Sequence, residues 1–243
     1  MKKIIRLAIF LFLYLSGTAY STTSLNFEYG QAMNTYNQVR IDGQNGTLFN
    51  LRPSFDSMDY YRFSFMKKFK SPNGIRLLYA PLKFSGEQRF NNDVLFNGVN
   101  FPANQLTETQ YQFNSYRATY FREVISQRHL LLRVGGTLKV RDALIELKQS
   151  DRKKFKKNVG VVPLVYLYSK YKFDNDFLLT LDFDGLMAPQ GRAFDVALML
   201  GYFFSPTFQF DVGYRMLEGG ADNEKVYNFS QINYYFAALQ LNF

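Results

Sequence analysis

The sequence predicts an all-β fold: a transmembrane antiparallel up-and-down β-barrel, most simply of ten strands, with eight as the alternative. Three observations predict it. Apolar and polar residues alternate with a period of two in about ten separate stretches, and a period of two is that of a strand. Short turns alternate with longer polar connections along the chain. Phe and Tyr dominate an 18% aromatic content, while the mean hydropathy is only -0.22, as expected where alternate residues of each strand meet lipid.

The chain has 243 residues and no Cys, enough for one large β domain that needs no oxidative folding. Residues 1–19 are expected to be a signal peptide. Lys2, Lys3 and Arg6 form a basic start, residues 4–15 an apolar run, and Ser16, Gly17 and Ala19 a small-residue cleavage site. The apolar run is too short for an ordinary transmembrane helix. No Cys stands near the cleavage site, which excludes a lipoprotein. The barrel domain is then 20–243. Its formal charge is about +6 once the three basic residues leave the +9 of the full chain. For an exported barrel this favours the anionic groups of lipopolysaccharide or of host surfaces over nucleic acid.

The strands are expected at 25–33, 60–69, 75–84, 108–122, 129–147, 159–172, 177–184, 193–204, 208–216 and 226–243. Strand nine shows the pattern well: Phe208, Phe210, Val212 and Tyr214 alternate with Gln209, Asp211, Gly213 and Arg215. The facing of the third strand is ambiguous. In the fifth, the phase slips near Ala143, which predicts a bulge or an exit from the membrane. Pro163 argues against a regular central sixth strand. Residues 42–59, 85–107, 150–158, 186–192 and 217–225 read as loops on one side. The segment Val94 to Phe101, VLFNGVNF, reads as a small hairpin or plug. The turns at 70–74, 123–128, 173–176 and 205–207 fall on the other side, with both termini.

The inward face is expected to carry Glu28, Arg62, Arg117, Arg133, Lys139, Arg141, Asp182, Asp184, Asp195, Asp211 and Arg215. Both signs occur on neighbouring strands, so a bracing salt-bridge network is the expected use. A lining for a small polar solute is the sharper alternative. Arg215 and Glu218 are expected to pair with Asp211, Asp195 or Arg192. Gly219 and Gly220 are expected to supply positive φ in a tight loop. The basic run Arg152, Lys153, Lys154, Lys156 and Lys157 is a candidate contact for lipopolysaccharide phosphates, with a solvated loop as the plainer reading.

Catalytic and metal sites are thinly indicated. His129 is the single His and no serine-nucleophile motif accompanies it. Asp182 and Asp184 share one face, but inward carboxylates usually meet Arg. Asp222 and Glu224 match no full Ca²⁺ loop. The sequence calls for no cofactor and no metal.

The last strand ends on Phe243 with Tyr235, Leu239 and Leu241 on its face. This resembles the C-terminal signature of bacterial outer-membrane β-barrel proteins, and implies that the barrel-assembly machinery reads these residues. Three further stretches resemble a group of small bacterial outer-membrane barrels: YRMLEGGADNEKVYNF from Tyr214, GRAFDVALMLGY from Gly191 and FNSYRATY from Phe113. The resemblance implies fold and outer-membrane location, and carries no catalytic residues. Outer-membrane lipid and lipopolysaccharide are the expected partners at that location. The expected protein is a monomer with a structural or surface-interaction role and no catalysis. A narrow channel for small polar solutes is the alternative, and an outer-membrane hydrolase the remoter one.

Overall fold

The computed structural model describes residues 22–243, so the expected signal peptide lies outside the described residues. Ten antiparallel staves close into a barrel. In chain order they begin with β1 (Thr23–Arg40), then a two-residue β2 (Phe49–Asn50) and a single 3-10 turn (Arg52–Ser54) before β3 (Met58–Lys68). β4 (Asn73–Ala80) and β5 (Lys83–Arg89) form one stave interrupted at Pro81 and Leu82, and the short β6 (Val94–Phe96) and β7 (Val99–Phe101) follow. The remaining staves are β8 (Leu106–Ser126), β9 (Leu130–Gln149), β10 (Arg152–Lys172), β11 (Phe177–Ala188), β12 (Gly191–Ser205), β13 (Phe208–Asn223) and β14 (Val226–Asn242). β14 pairs with β1 from Asn242 opposite Ser24 to Tyr227 opposite Arg40, and that ladder closes the barrel.

The outward face carries a continuous apolar belt. One cross-strand row runs Tyr61, Tyr29, Ala237, Val212, Leu200 and Leu179. Aromatic rings mark both margins, as interfacial girdles do. On one side Tyr61 meets Tyr79 edge-on and Tyr79 stacks on Tyr116, with Tyr214 against Tyr235. Phe177, Tyr202, Phe204 and Phe208 form the other margin, beside the short turns.

The barrel is far taller than this belt. β9 has 20 residues, which at the usual rise and tilt reach about 50 Å of height, against an apolar band of about 25 Å. Above the belt the chemistry of the wall inverts. Within β9, Val134, Leu138 and Val140 point outward and Arg133, Thr137 and Lys139 inward, whereas Ile145 and Leu147 are buried inside. The pairing of β9 passes Ala143 without interruption on both sides. The apparent phase slip is therefore no bulge but a change in which face of the strand is apolar. The strand keeps its pleat while its outward face turns polar and its inward face apolar.

The upper interior is a packed apolar core of Ile41, Leu51, Phe49, Phe55, Phe84, Phe90, Val94, Phe96, Phe101 and Leu147, among others. Segment 41–57 completes the wall there, because β3 pairs with β1 only as far as Ala32. β2 adds to β1, and the 3-10 turn presses on β5 so closely that a Cβ at Gly86 would lie 1.7 Å from the Ser54 carbonyl oxygen. The β6–β7 hairpin turns on Asn97 and Gly98, both at positive φ, the backbone that an Asn-Gly hairpin turn requires. Its buried rings Phe96 and Phe101 fold inward. Bonds from the Asn97 N–H to the Ile41 carbonyl (2.6 Å) and from the Thr47 N–H to the Leu95 carbonyl (2.9 Å) fasten it down.

Several expected loops are strands. Residues 150–158, 186–192 and 217–225 belong to long strand arms joined by tight turns at 150–151, 189–190 and 224–225. The turn expected at 123–128 shrinks to 127–129, because β8 continues to Ser126 with one register shift between Glu123 and Ile125. Pro163 sits opposite Leu138 with no bulge, and pairing with β11 begins only at Val165. The strand is an edge on its β11 side at Pro163, where the missing N–H is tolerated. Gly219 and Gly220 lie within β13 rather than in a loop. Among the described residues the glycines at positive φ are Gly98 and Gly191. Crowding accounts for Gly219 and Gly220: a Cβ would stand 2.4 Å from the Arg192 oxygen and 2.1 Å from the Asn228 oxygen respectively.

Candidate functional site

The pleat of eight strands, β1, β3, β4, β8, β9, β11, β12 and β13, brings one ion network together inside the belt. Asp195 accepts from three guanidinium groups: Arg215 Nη1 at 2.5 Å, Arg117 Nη2 at 2.5 Å and Arg62 Nη1 at 3.0 Å. Asp184 accepts from Arg117 at 2.8 Å, Arg76 at 2.9 Å and the Thr137 hydroxyl at 2.6 Å. Asp182 accepts from Arg76 at 2.8 Å. Glu28 accepts from Arg215 at 2.9 Å and lies 3.6 Å from Arg62. All of these residues are buried. Charges held away from water in this way each need countercharge and hydrogen bonds. The alternation of Arg with Asp or Glu supplies the countercharge, while Glu28 Oε2, Arg62 Nε and Nη2, Arg76 Nε and Arg215 Nε find no hydrogen-bond partner among the described residues. A cluster in which every carboxylate is held by guanidinium has no free acid–base pair to offer a substrate. Asp182 and Asp184 meet Arg76 instead of each other's protons.

The remaining expected members fall elsewhere. Arg133 donates to Glu123 Oε1 at 3.1 and 2.8 Å, nearer the short-turn end, and Lys68 also pairs with Glu123. Asp211 accepts from Gln209 at 2.7 Å, and Gln209 accepts from Lys170 at 2.8 Å. Lys139 makes no ion pair among the described residues and places its ammonium 4.7 Å over the Phe113 ring. Arg141 sits above the network, bonded to Asn158 at 2.5 Å. Sequence reasoning missed Arg76, because the third strand's facing was ambiguous. The hairpin register of Lys67 opposite Ile75 and Met66 opposite Arg76 is the signal that turns Arg76 inward. Glu123 falls within the expected 123–128 turn, and Lys170 stands in a Tyr-rich stretch without an obvious face.

The basic run lies on β10, not in a loop, which corrects the expectation. Lys153 pairs with Glu146 at 3.0 Å and Lys157 with Asp142 at 3.4 Å, both carboxylates on β9. Arg152 donates to the Asn100 carbonyl at 3.1 Å. Lys154 and Lys156 alternate with them along the strand. β10 has no β11 partner before Val165, so this lysine-rich arm borders an open sheet edge, where Lys is the residue that discourages edge-to-edge pairing.

His129 stands at the opposite end of the barrel. Its Nδ1 lies 2.9 Å from the Lys172 carbonyl oxygen and its Nε2 3.7 Å from the exposed Asp174. No cluster of potential metal ligands occurs among the described residues. Arg215 pairs with Asp195 inside, while Glu218 pairs with Arg192 on the outer wall at 2.9 Å. At the closing seam Tyr235 and Leu239 point outward and exposed. Leu241 lies opposite Leu25, and Phe243 exchanges backbone bonds with Thr23 at 3.0 and 2.8 Å.

No protein-family model matches the chain, and no curated protein matches it in sequence. Solved structures do match it in shape. The outer-membrane protease OmpT of Escherichia coli superposes with a TM-score of 0.56 at 11% identity, covering 93% of this chain and 99% of that one. The attachment invasion locus protein Ail of Yersinia pestis gives 0.40 at 11% identity, with 93% and 100% covered. Neisserial surface protein A gives 0.37 at 10% identity, with 94% and 100% covered. The fold and its interior define a closed, antiparallel, ten-stranded barrel of the outer-membrane type. At such identities the likeness carries the fold and no activity.

Proposed function

We propose that the chain is an integral outer-membrane barrel with a sealed lumen, acting as a structural or surface-interaction protein without catalysis. The observation that carries this reading is the double closure of its interior. The arginine–carboxylate network fills the barrel within the apolar belt, and the apolar core roofed by the β6–β7 hairpin fills it above. A packed interior of this kind belongs with small barrels filled by side chains rather than with wide aqueous pores. The belt with aromatic margins supports insertion in a bilayer. Outer-membrane lipid and lipopolysaccharide are then its immediate partners, and β14 is the strand offered to the barrel-assembly machinery. No feature calls for nucleic acid, and a monomer satisfies the closed sheet. The position of His129, at the far end from the buried carboxylates and beside an exposed Asp, speaks against a His-based hydrolase.

The test is electrophoresis of the outer-membrane fraction in SDS with and without boiling, followed by planar-bilayer conductance of the purified protein. A band in that fraction that shifts on boiling, with no conductance steps above lipid background, is the expected result. Reproducible steps would move the reading to a channel. A protein confined to the soluble periplasm would remove the membrane altogether.

A further inference from the structure

Above the belt, on the outer wall formed by β12, β13, β14 and β1, lies a recess of about 310 Å³ lined by Tyr36, Arg192, Glu218, Tyr227, Phe229 and Gln231. The pleat puts these side chains on one surface: Glu218 registers with Gln231, Gly220 with Phe229 and with Arg192, and Tyr36 with Gln231. Gly220 lacks the Cβ that would stand 2.5 Å from the Phe229 ring, and so lets that ring lie against the wall. A ladder of stacked groups runs beside it. Arg40 lies 5.3 Å over Tyr227, Tyr227 and Phe229 pack at 5.3 Å, and Arg192 lies 4.9 Å over Phe229. The Glu218 carboxylate holds the Arg192 guanidinium through Nε at 2.9 and 3.0 Å and Nη2 at 2.8 Å.

We infer that this recess is a binding site for a sugar ring of the outer-leaflet glycolipid, the core saccharide of lipopolysaccharide. Three features select a saccharide. The Tyr36 ring, 42% exposed at the recess, is offered for the C–H face of a sugar. A carboxylate, an amide and a guanidinium stand together, so sugar hydroxyls find both acceptors and donors. A bare phosphate is disfavoured because Arg192 is already neutralised by Glu218, and Glu218 would repel a second anion. Height selects the source. Gln231 and Phe229 stand four and six residues along β14 from Tyr235, the last outward aromatic of the belt. At the usual rise and tilt this is roughly 10–15 Å above the apolar margin, where the sugars of an anchored glycolipid begin. The size suits one sugar ring with its substituents and falls at the small end of ligand pockets. The site is separate from the basic arm of β10, whose outward lysines are already paired. This inference rests on the proposed outer-membrane placement.

The experiment uses the full mature barrel, refolded in detergent free of lipopolysaccharide, with folding of each variant checked by its shift on boiling. Binding is measured by native mass spectrometry for three probes: lipopolysaccharide with a complete core, lipid A without sugars beyond its own disaccharide, and the free core oligosaccharide. The core-bearing form is expected to bind most tightly. Arg192→Ala combined with Phe229→Ala is expected to weaken it at least about tenfold, and Glu218→Gln to weaken it as well. Lys153→Ala combined with Lys157→Ala, on the other wall, is expected to change nothing. Equal binding of lipid A, free oligosaccharide bound as tightly as the anchored form, or tighter lipid A binding by Glu218→Gln would overturn the inference, the last by showing a phosphate site. A dimer that dissociates in the Arg192→Ala and Phe229→Ala variant would overturn it in favour of a second copy. A wild-type chain without a boiling shift would defeat the membrane reading first, and this inference with it.

Discussion

Arg215 on β13 reaches Asp195 on β12 at 2.5 Å from Nη1 to Oδ1, and both side chains are almost wholly withdrawn from solvent, 1% and 2% exposed. The two residues are diagonal neighbours on the inward face, Arg215 opposite Ala197 and Asp195 opposite Leu217. Arg215 also holds Glu28 on β1, and Asp195 also holds Arg62 on β3 and Arg117 on β8. The pair thus ties opposite walls of the barrel through its centre. A carboxylate shared by three guanidinium groups is the least replaceable member, because its loss leaves several buried cations short of countercharge. Asp195→Asn is expected to destabilise the barrel by roughly 3–5 kcal/mol. The midpoint of the boiling-dependent mobility shift, measured in urea, reads this directly. Adding Arg117→Gln should recover part of the loss by removing one stranded cation. An Asp195→Asn protein as resistant to urea as the wild type would mean that the network braces nothing.

The apolar belt makes a second prediction, on its lipid side. Leu200 is outward, 60% exposed, and lies mid-row between Leu179 and Val212. Leu200→Arg places a charge against hydrocarbon and is expected to cost about 2–4 kcal/mol in a bilayer. Gln112→Arg, outward on β8 above the belt, should be neutral within experimental scatter. Folding titrations in phospholipid vesicles compare the two. Equal effects at both positions would show that the belt does not face lipid.

The roof and the network are two separate seals, so opening one should leave the other. Phe96 is fully buried in the β6–β7 hairpin and packs against Phe49 and Phe101. Phe96→Ala is expected to cost about 3–5 kcal/mol of local packing and to expose residues 90–105 to added protease. Conductance should stay at background, because the arginine–carboxylate layer below is untouched. Current steps appearing in Phe96→Ala would locate the only effective seal in the roof.

Much of this was readable from alternation, and the failures have a physical pattern. Strands such as β13 were legible where lipid and a polar interior impose opposite demands on adjacent residues: Phe210 and Val212 out, Asp211 and Arg215 in. Above the apolar belt both demands reverse, so Ile145 and Leu147 inside with Glu146 and Lys148 outside look like a broken phase in β9. Arg152 to Lys157 looked like a loop because charge density hides a strand whose hydrogen bonds come from β9 and whose free edge needs Lys. The interior carboxylates Asp182, Asp184 and Asp195 were legible as inward residues. Their partner Arg76 was not, since its strand lacks a clean apolar stripe and is settled only by the register across the β3–β4 turn. The Arg192–Glu218 recess was hidden for a different reason. Arg192 and Glu218 lie on different strands, and nothing local shows that they share the outer wall with Tyr36, whose strand lies at the other end of the sequence.

The fastening of the roof is expected to depend on pH through Asp93. This carboxylate accepts from the Ala103 N–H at 2.9 Å and from the Asn100 amide at 3.1 Å, spanning the β6–β7 hairpin. The backbone bond from Ala103, helped by Asn100, holds its pKa below the ordinary carboxylate value. A depressed folded-state pKa means that the charged form favours the closed hairpin. The contribution is complete above the unfolded-chain value, about pH 4, and fades as pH falls through the lower folded value. Amide hydrogen exchange in peptides covering 93–103 should therefore show more opening, after correction for the intrinsic pH dependence of exchange, as pH drops from about 5 to 3. The β12–β13 ladder, which lacks such a cap, serves as the internal reference. Asp93→Asn should open the hairpin at neutral pH and flatten the corrected profile. A wild-type profile that keeps the same corrected slope in Asp93→Asn would assign the acid sensitivity to another group, with Asp42 the next to test, since its carboxylate caps the Gln44 and Asn45 N–H groups at 2.9 and 3.2 Å in the neighbouring loop.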